Sequence, residues 1–247
     1  MLDSIIALGL IVITTGLIFV FALPQTGSRR NFRRLPAFDR LRQAIGLAVE
    51  NGTRIHISLG KAGLVRSPSA SGLTGLATLE RIAQVSSVSD RPPLATSGEG
   101  TLSILSQDTL KAAYRQANAL ENYDPDRGQL VGVTPLSYIT GTLPIADSEN
   151  VSAHILVGEF GPEIALLVDA ASNEDAFTLA STDSLPAQAA LYAAAQAPLI
   201  GEELFAIPAY LNAGPTHTAS LIVQDLLRWG VIVVLLAGAI LKLVGIL

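Results

Sequence analysis

Both ends of this chain are apolar stretches long enough to cross a bilayer, and everything between them must fold within that constraint. No charged residue occurs from Ser4 to Leu23, where the run from Ile5 to Ile13 continues through Leu17 to Phe21. At about 1.5 Å per residue such a stretch spans roughly 30 Å, the thickness of a hydrocarbon core. Pro24 ends it, because an internal proline lacks its amide donor and clashes with the preceding turn. The second stretch runs from Trp229 to Leu247 with Lys242 as its only charge, and a lysine stem near the chain end can carry its ammonium to the far interface. Arg228 and Trp229 mark the near interface.

A cleaved secretory signal would need a basic start, a shorter apolar run and small residues before the cut. The only charged side chain ahead of the first run is Asp3, and Ala22-Leu23-Pro24 is a poor cleavage site, so the expectation is a retained anchor. Arg29, Arg30, Arg33, Arg34, Arg40 and Arg42 follow the first span closely. Since positive loops stay inside, the central segment is expected in the cytoplasm, with both termini outside the inner membrane.

Only 15% of residues are charged against 49% apolar, whereas soluble domains carry about 25% charge. Cysteine is absent, which excludes disulfide scaffolds, thiolate metal sites and thiol catalysis. A net charge of −5 argues against a nucleic-acid binder.

The expected organisation is a first span at 4–23, a basic linker at 24–34, one cytoplasmic domain at 35–215, a helical lead-in at 216–228 and a second span at 229–247. Within the domain, helix and strand patterns alternate. Phe38, Leu41, Ile45, Leu47 and Val49 predict a helix closed by Asn51-Gly52, and Arg54 to Leu59 then alternates as a strand. Leu73 to Ser86 and Thr101 to Leu120 read as helices, and Pro93 to Thr96 and Leu130 to Thr134 as strands. That order predicts an α/β, Rossmann-like three-layer domain with a mixed or mostly parallel sheet, flanked by N- and C-terminal transmembrane helices. In the second half, Val151 to Glu159 and Glu163 to Ala170 read as a hairpin or mixed-sheet edge. Ser184 then caps a helix, and Gly201 to Leu211 forms another, interrupted at Pro208.

Charge divides along the chain. Thirteen basic residues face six acidic ones between Arg29 and Arg115; fourteen acidic residues face only Arg127 between Glu121 and Asp225. Complementary patches favour head-to-tail contacts between copies, and two anchors per copy confine those copies to one plane. A homo-oligomer is therefore expected, with a lipid bilayer and a further protein as partners.

The small-ligand signal is Ser97-Gly98-Glu99-Gly100-Thr101, where a short strand turns into a helix and glycines would let amides approach an anion. It lacks the third glycine of the dinucleotide fingerprint, Ser103 standing near that place, and has no Gly-Lys-Ser/Thr. A plain turn capped by Ser97 or Thr101 is the simpler reading. Lys61 and Arg66 follow the first strand and would line the same cleft if the two strands are neighbours. His56, His154 and His217 lack the spacing of a metal site, so His56 and His154 read as hydrogen-bonded core histidines, and no metal or cofactor is expected. No Gly-x-Ser-x-Gly elbow occurs, so no catalytic residue is assigned and the reading leans away from an enzyme.

The segment from Leu35 to Gly60, with Asp90-Arg-Pro-Pro93 and Gln107-Asp-Thr-Leu110, resembles an uncharacterised family of two-span bacterial membrane proteins carrying one domain of unknown function. The resemblance covers most of the chain and implies architecture without any site residue. The expected function is a membrane-anchored domain that self-associates into a structural or scaffolding assembly. The alternative is a membrane-tethered enzyme or sensor that binds a small anionic ligand, such as a nucleotide, at Lys61, Arg66, Ser97, Gly98, Gly100 and Thr101.

Overall fold

The computed structural model describes residues 2–23, 32–63, 70–148 and 150–243. It divides into two units, one formed by the two ends of the chain and one by residues 32–213. The terminal unit contains α1 (Leu2–Ala22) and α9 (Pro215–Leu243), which run alongside one another. Both are long and apolar enough to cross a membrane, with mean hydropathy of 2.7 and 2.1 over their candidate spans, and neither span is buried. Leu8, Ile11, Val234 and Leu235 are all exposed. The Thr14 hydroxyl donates to the Leu10 carbonyl at 2.7 Å, so it carries no unmet donor into the exposed surface.

The central unit is built on β1 (Arg54–Gly60), β2 (Leu94–Ser97), β3 (Gly128–Leu130), β4 (Val151–Glu159), β5 (Phe177–Thr182) and β6 (Ala197–Leu199). They form one sheet in the order β3-β2-β1-β4-β5-β6, and every pairing is parallel. Parallel neighbours need a crossover, and the helices supply it. They are α2 (Pro36–Asn51), α3 (Ala70–Val85), α4 (Gly100–Gln116), α5 (Pro135–Ser148), α6 (Ile164–Asn173), α7 (Leu185–Ala194) and α8 (Glu203–Tyr210).

Because side chains alternate along a strand, the sheet presents two different faces. Ile55, Ile57, Leu59, Ile155, Val157 and Leu179 point to one face and pack under α2, α3, α4 and α8. Leu156 and Ala180 point to the other and pack under α5, α6 and α7 with Ile164, Leu167 and Leu191. The result is three layers. In α2 the buried Phe38, Leu41, Ile45 and Ala48 recur at helical spacing, and Gly52 ends the helix at φ 62°, its amide reaching the Ala48 and Val49 carbonyls.

The expected hairpin in the second half does not form. Glu163 to Ala170 belongs to helix α6, whose Ile164, Leu167, Val168 and Ala171 are buried at intervals of three and four. A short apolar run fits a buried strand or a buried helix equally well, and packing against the sheet decided for the helix. Helix α8 continues through Pro208 in its last turn rather than breaking there. Helix α5, which carries Pro144 within it, fills a stretch where no helix was expected.

The central unit gathers its two chain ends at one place. The Tyr210 hydroxyl donates to the Arg33 carbonyl at 2.7 Å, and its ring stacks on Phe38 with centroids 4.4 Å apart and tilts against Phe32 at 5.4 Å.

Candidate functional site

The order β3-β2-β1-β4-β5-β6 reverses direction between β1 and β4, and folds of this order bind ligands beyond the carboxyl ends of the strands at that point. Here those ends are tied together. The Lys61 amide donates to the Glu159 carbonyl at 2.9 Å, and the Gly98 amide to the Gly60 carbonyl at 2.8 Å. Gly60, at φ +67°, and Gly158 permit this approach: a side chain on either would collide with the backbone of the facing strand, at Glu159 and Leu59 respectively.

The structure brings Lys61 together with the Ser97–Thr101 turn, because β1 and β2 are neighbours. The Lys61 stem lies across Gly98, where a Cβ would meet it, and would also come within 3.2 Å of the Tyr138 ring. Gly100 and Thr101 are exposed at the start of α4. Arg66, with Arg29 and Arg30 of the linker, lies outside the described residues.

The cap of α4 is neither Ser97 nor Thr101. Glu99 takes that place, its carboxylate accepting from the Leu102 amide at 2.8 Å. Burial alone would raise this carboxyl, yet bonds from the Leu102 and Thr101 amides and the Thr101 hydroxyl outweigh it and hold the group below its ordinary range. The Ser97 hydroxyl instead donates to the Gln129 and Glu99 carbonyls. At Ser184 the backbone adopts the capping position, but the side chain makes no capping bond.

Across the reversal point Glu159 is raised by burial and then by the neighbouring Asp183, with Lys61 acting against both. Glu163 also turns inward, accepting from the Gly161 amide at 3.2 Å. Lys61 therefore already faces the Glu159 carboxylate, and the helix start beside it, at the Ser97–Thr101 turn, holds another in Glu99. This is a poor setting for a phosphate.

Beneath that edge lies a polar chain that the sequence reading did not assemble. His56 on β1 faces His154 on β4 in register, with their Nδ1 atoms 2.9 Å apart. His56 Nε2 lies 2.9 Å from the Thr96 hydroxyl, Thr96 lies 2.9 Å from the Tyr138 hydroxyl, and Tyr138 lies 2.6 Å from Ser58. All five residues are buried. The chain can run either way: His154 Nδ1–H donates to His56, His56 Nε2–H to Thr96, Thr96 to Tyr138 and Tyr138 to Ser58, or each of these bonds is reversed. His154 Nε2 is the one nitrogen of the pair with no hydrogen-bond partner, and the first order is favoured because it leaves that atom a bare acceptor rather than a buried unpaired N–H.

Burial holds both imidazoles neutral. His154 is lowered to about 4, and His56 falls well below its ordinary value through burial and then repulsion from His154. Tyr138 is raised by burial, although its bonds to Ser58 and Thr96 oppose that. The reading of His56 and His154 as hydrogen-bonded core residues agrees with this geometry, but each is the other's partner. The two positions lie 98 residues apart, so only the β1–β4 pairing could reveal it. Among the described residues no group of three or more His, Cys, Asp or Glu side chains could hold a metal ion.

Two cavities lie away from this edge. The larger, about 390 Å³, is a groove between α2 and α3, lined by Ile45, Val49, Ile82 and Val85 with Arg42 and Arg81 at its sides. The smaller, about 220 Å³, lies between the start of α2 and β6. Of the expected interface residues, Trp229 is exposed, Arg228 lies 3.7 Å from Asp225, and Lys242 falls in the last turn of α9. Arg33 and Arg34 are exposed ahead of α2.

Together these features define a three-layer α/β domain with a doubly wound parallel sheet and two apolar terminal helices able to span a membrane. The chain belongs to the family of the domain of unknown function DUF6754, whose family model matches residues 2–247. No curated protein and no solved structure matches it.

Proposed function

We propose that this protein is a membrane-anchored module that self-associates into a structural assembly at the inner membrane, with its α/β domain in the cytoplasm and both termini outside. The observation that carries this reading is the outer surface of α5, α6 and α7. Leu136, Leu166, Leu185 and Tyr192 are exposed there by 63%, 53%, 76% and 76%. No lysine or arginine occurs anywhere between Arg127 and Arg228. A layer that exposes large apolar side chains and lacks cations is built for a protein partner rather than for water or anionic headgroups.

The second reading, an enzyme or sensor for a small anion, has less behind it. Glu99 occupies the α4 terminus, and Lys61 acts on Glu159, which Asp183 also neighbours.

Light scattering of the full-length protein in mild detergent tests the main reading. Particles of several copies are expected, and a single-copy mass at every concentration and salt would overturn it. Protease added outside sealed cells should leave the central domain intact; its digestion would overturn the orientation. A thermal-shift series with nucleotides should show no dose-dependent stabilisation, and a shift lost in Lys61→Ala would favour the ligand reading instead.

A further inference from the structure

We infer that the occupant of the α2–α3 groove is helix α7 of a second copy of this chain, seated through Tyr192. The inference rests on the self-association proposed above and adds which surfaces meet.

Helix α7 offers one stripe for this contact, Leu185, Ala189 and Tyr192, spaced four and three residues apart and all exposed. Tyr192 ends the stripe, an aromatic body with a polar tip of the kind that anchors interfaces. The neighbouring helix α6 adds Leu166 together with Asp169 and Glu174, so every charge this face carries is negative.

The groove is complementary in both respects. Its floor is aliphatic, with Ile45, Val49, Ile82 and Val85, and its volume of about 390 Å³ can take an aromatic ring with its flanking residues. Arg42 and Arg81 border it. They donate to the carbonyls of Tyr210 and Leu211, at 2.8 and 2.9 Å, and Arg42 also lies 3.8 Å from the Asp39 carboxylate, a loose exposed pair into which a carboxylate from outside can exchange. Glu50, also at the groove, is the one acidic group lining it.

Charge decides between occupants. Pairing the α6–α7 face with its own copy would set Asp169 and Glu174 against the same residues with no cation to answer them. Anionic lipid would meet the same carboxylates. The arginine-bordered groove answers them instead.

The area is modest. Helices of fourteen, ten and ten residues, packed about 10 Å apart, offer on the order of 500 Å² when the whole α5–α7 layer closes around the seated α7, below the roughly 800 Å² per partner of a standard complex, and the shared membrane plane makes up the difference by raising effective concentration. Groove and stripe lie on opposite sides of the sheet, so the contact is head-to-tail and leaves a free groove and a free stripe at each end of a row until a ring closes.

The chain has no cysteine, so single introduced cysteines report contacts cleanly. Ala189→Cys places a thiol beside Tyr192, and Gly46→Cys places one in the groove, where an added Cβ meets nothing within 4 Å. Full-length chains carrying each substitution are mixed in detergent, oxidised and compared with either alone. A mixed disulfide dimer is expected, absent from the single preparations and reduced at least about tenfold by Tyr192→Glu. Dimers from Ala189→Cys alone would overturn the inference in favour of same-face pairing. No mixed dimer while the wild type still scatters as several copies would overturn the groove assignment and leave self-association standing. A wild type that scatters as one copy would remove both.

Discussion

The two faces of the sheet are made by the same strands and are chemically unlike. On one, Ile55, Ile57, Leu59, Ile155 and Val157 meet α2, α3 and α4 in an aliphatic core, beneath helices whose outer surface carries Asp39, Arg40, Arg42, Lys111 and Arg115. On the other, Leu156 and Ala180 pack with Ile164, Leu167 and Leu191, and beside them His56, Ser58, Thr96 and His154 meet Tyr138 in a hydrogen-bonded chain, beneath helices whose outer surface carries Asp169 and Glu174 and no base. Strand alternation places these sets back to back. One layer is aliphatic inside and carries cations outside; the other joins apolar packing to a hydrogen-bonded chain inside and carries no cation outside. The difference teaches where each face gets its free energy: the first from apolar burial, the second from burial and directional bonds together.

The aliphatic face should give the largest effect. Leu79, fully buried on α3, should cost about 2 to 5 kcal/mol as Leu79→Ala, through lost transfer energy and the cavity left behind. Urea unfolding would measure it, and a loss below about 1 kcal/mol would break the account of this face as the main core.

The polar face should instead answer to acid. Both histidines are held below their ordinary value of 6.5, so between pH 6.5 and about 4 the unfolded chain binds protons that the folded one refuses. Stability is therefore complete above pH 6.5 and falls as the pH falls, with His154 alone accounting for about 3 kcal/mol by pH 4. Thermal midpoints at stepped pH should show this slope in the wild type and a shallower one in His154→Phe; equal slopes would contradict it.

Tyr138→Phe keeps the ring and removes the hydroxyl that meets Ser58 and Thr96. Leaving those groups unpaired should cost about 1 to 3 kcal/mol, read from the same unfolding curves. The smallest change belongs to the edge shared by both faces. Glu99→Ala removes the α4 cap and should cost about 1 kcal/mol, whereas unchanged stability would break the reading of Glu99 as the cap.

Much of the architecture was legible because its signals are local. The apolar runs read at Ser4–Leu23 and from Trp229 onward correspond to the apolar parts of α1 and α9, and the helix–strand alternation led to a three-layer α/β domain. The closeness of Lys61 to the Ser97 turn followed once β1 and β2 were taken as neighbours. What failed had no local signature. Glu163 to Ala170 is equally apolar as strand or helix, and the cap expected from Ser97 or Thr101 is supplied by Glu99. Tyr138 lies in a segment with no expected structure at all, so its bond to Ser58, eighty residues earlier, was out of reach.

Hydropathy and length by themselves determined that both ends suit lipid and that one domain lies between, because burial in lipid or in a core needs only enough consecutive or periodic apolar residues. Tertiary structure alone decided that His56 and His154 meet across one hydrogen bond, that the carboxyl edge is lined by acids, and that α5, α6 and α7 share one outer surface without a cation. Each of these depends on strand order and register, which bring together side chains far apart along the chain.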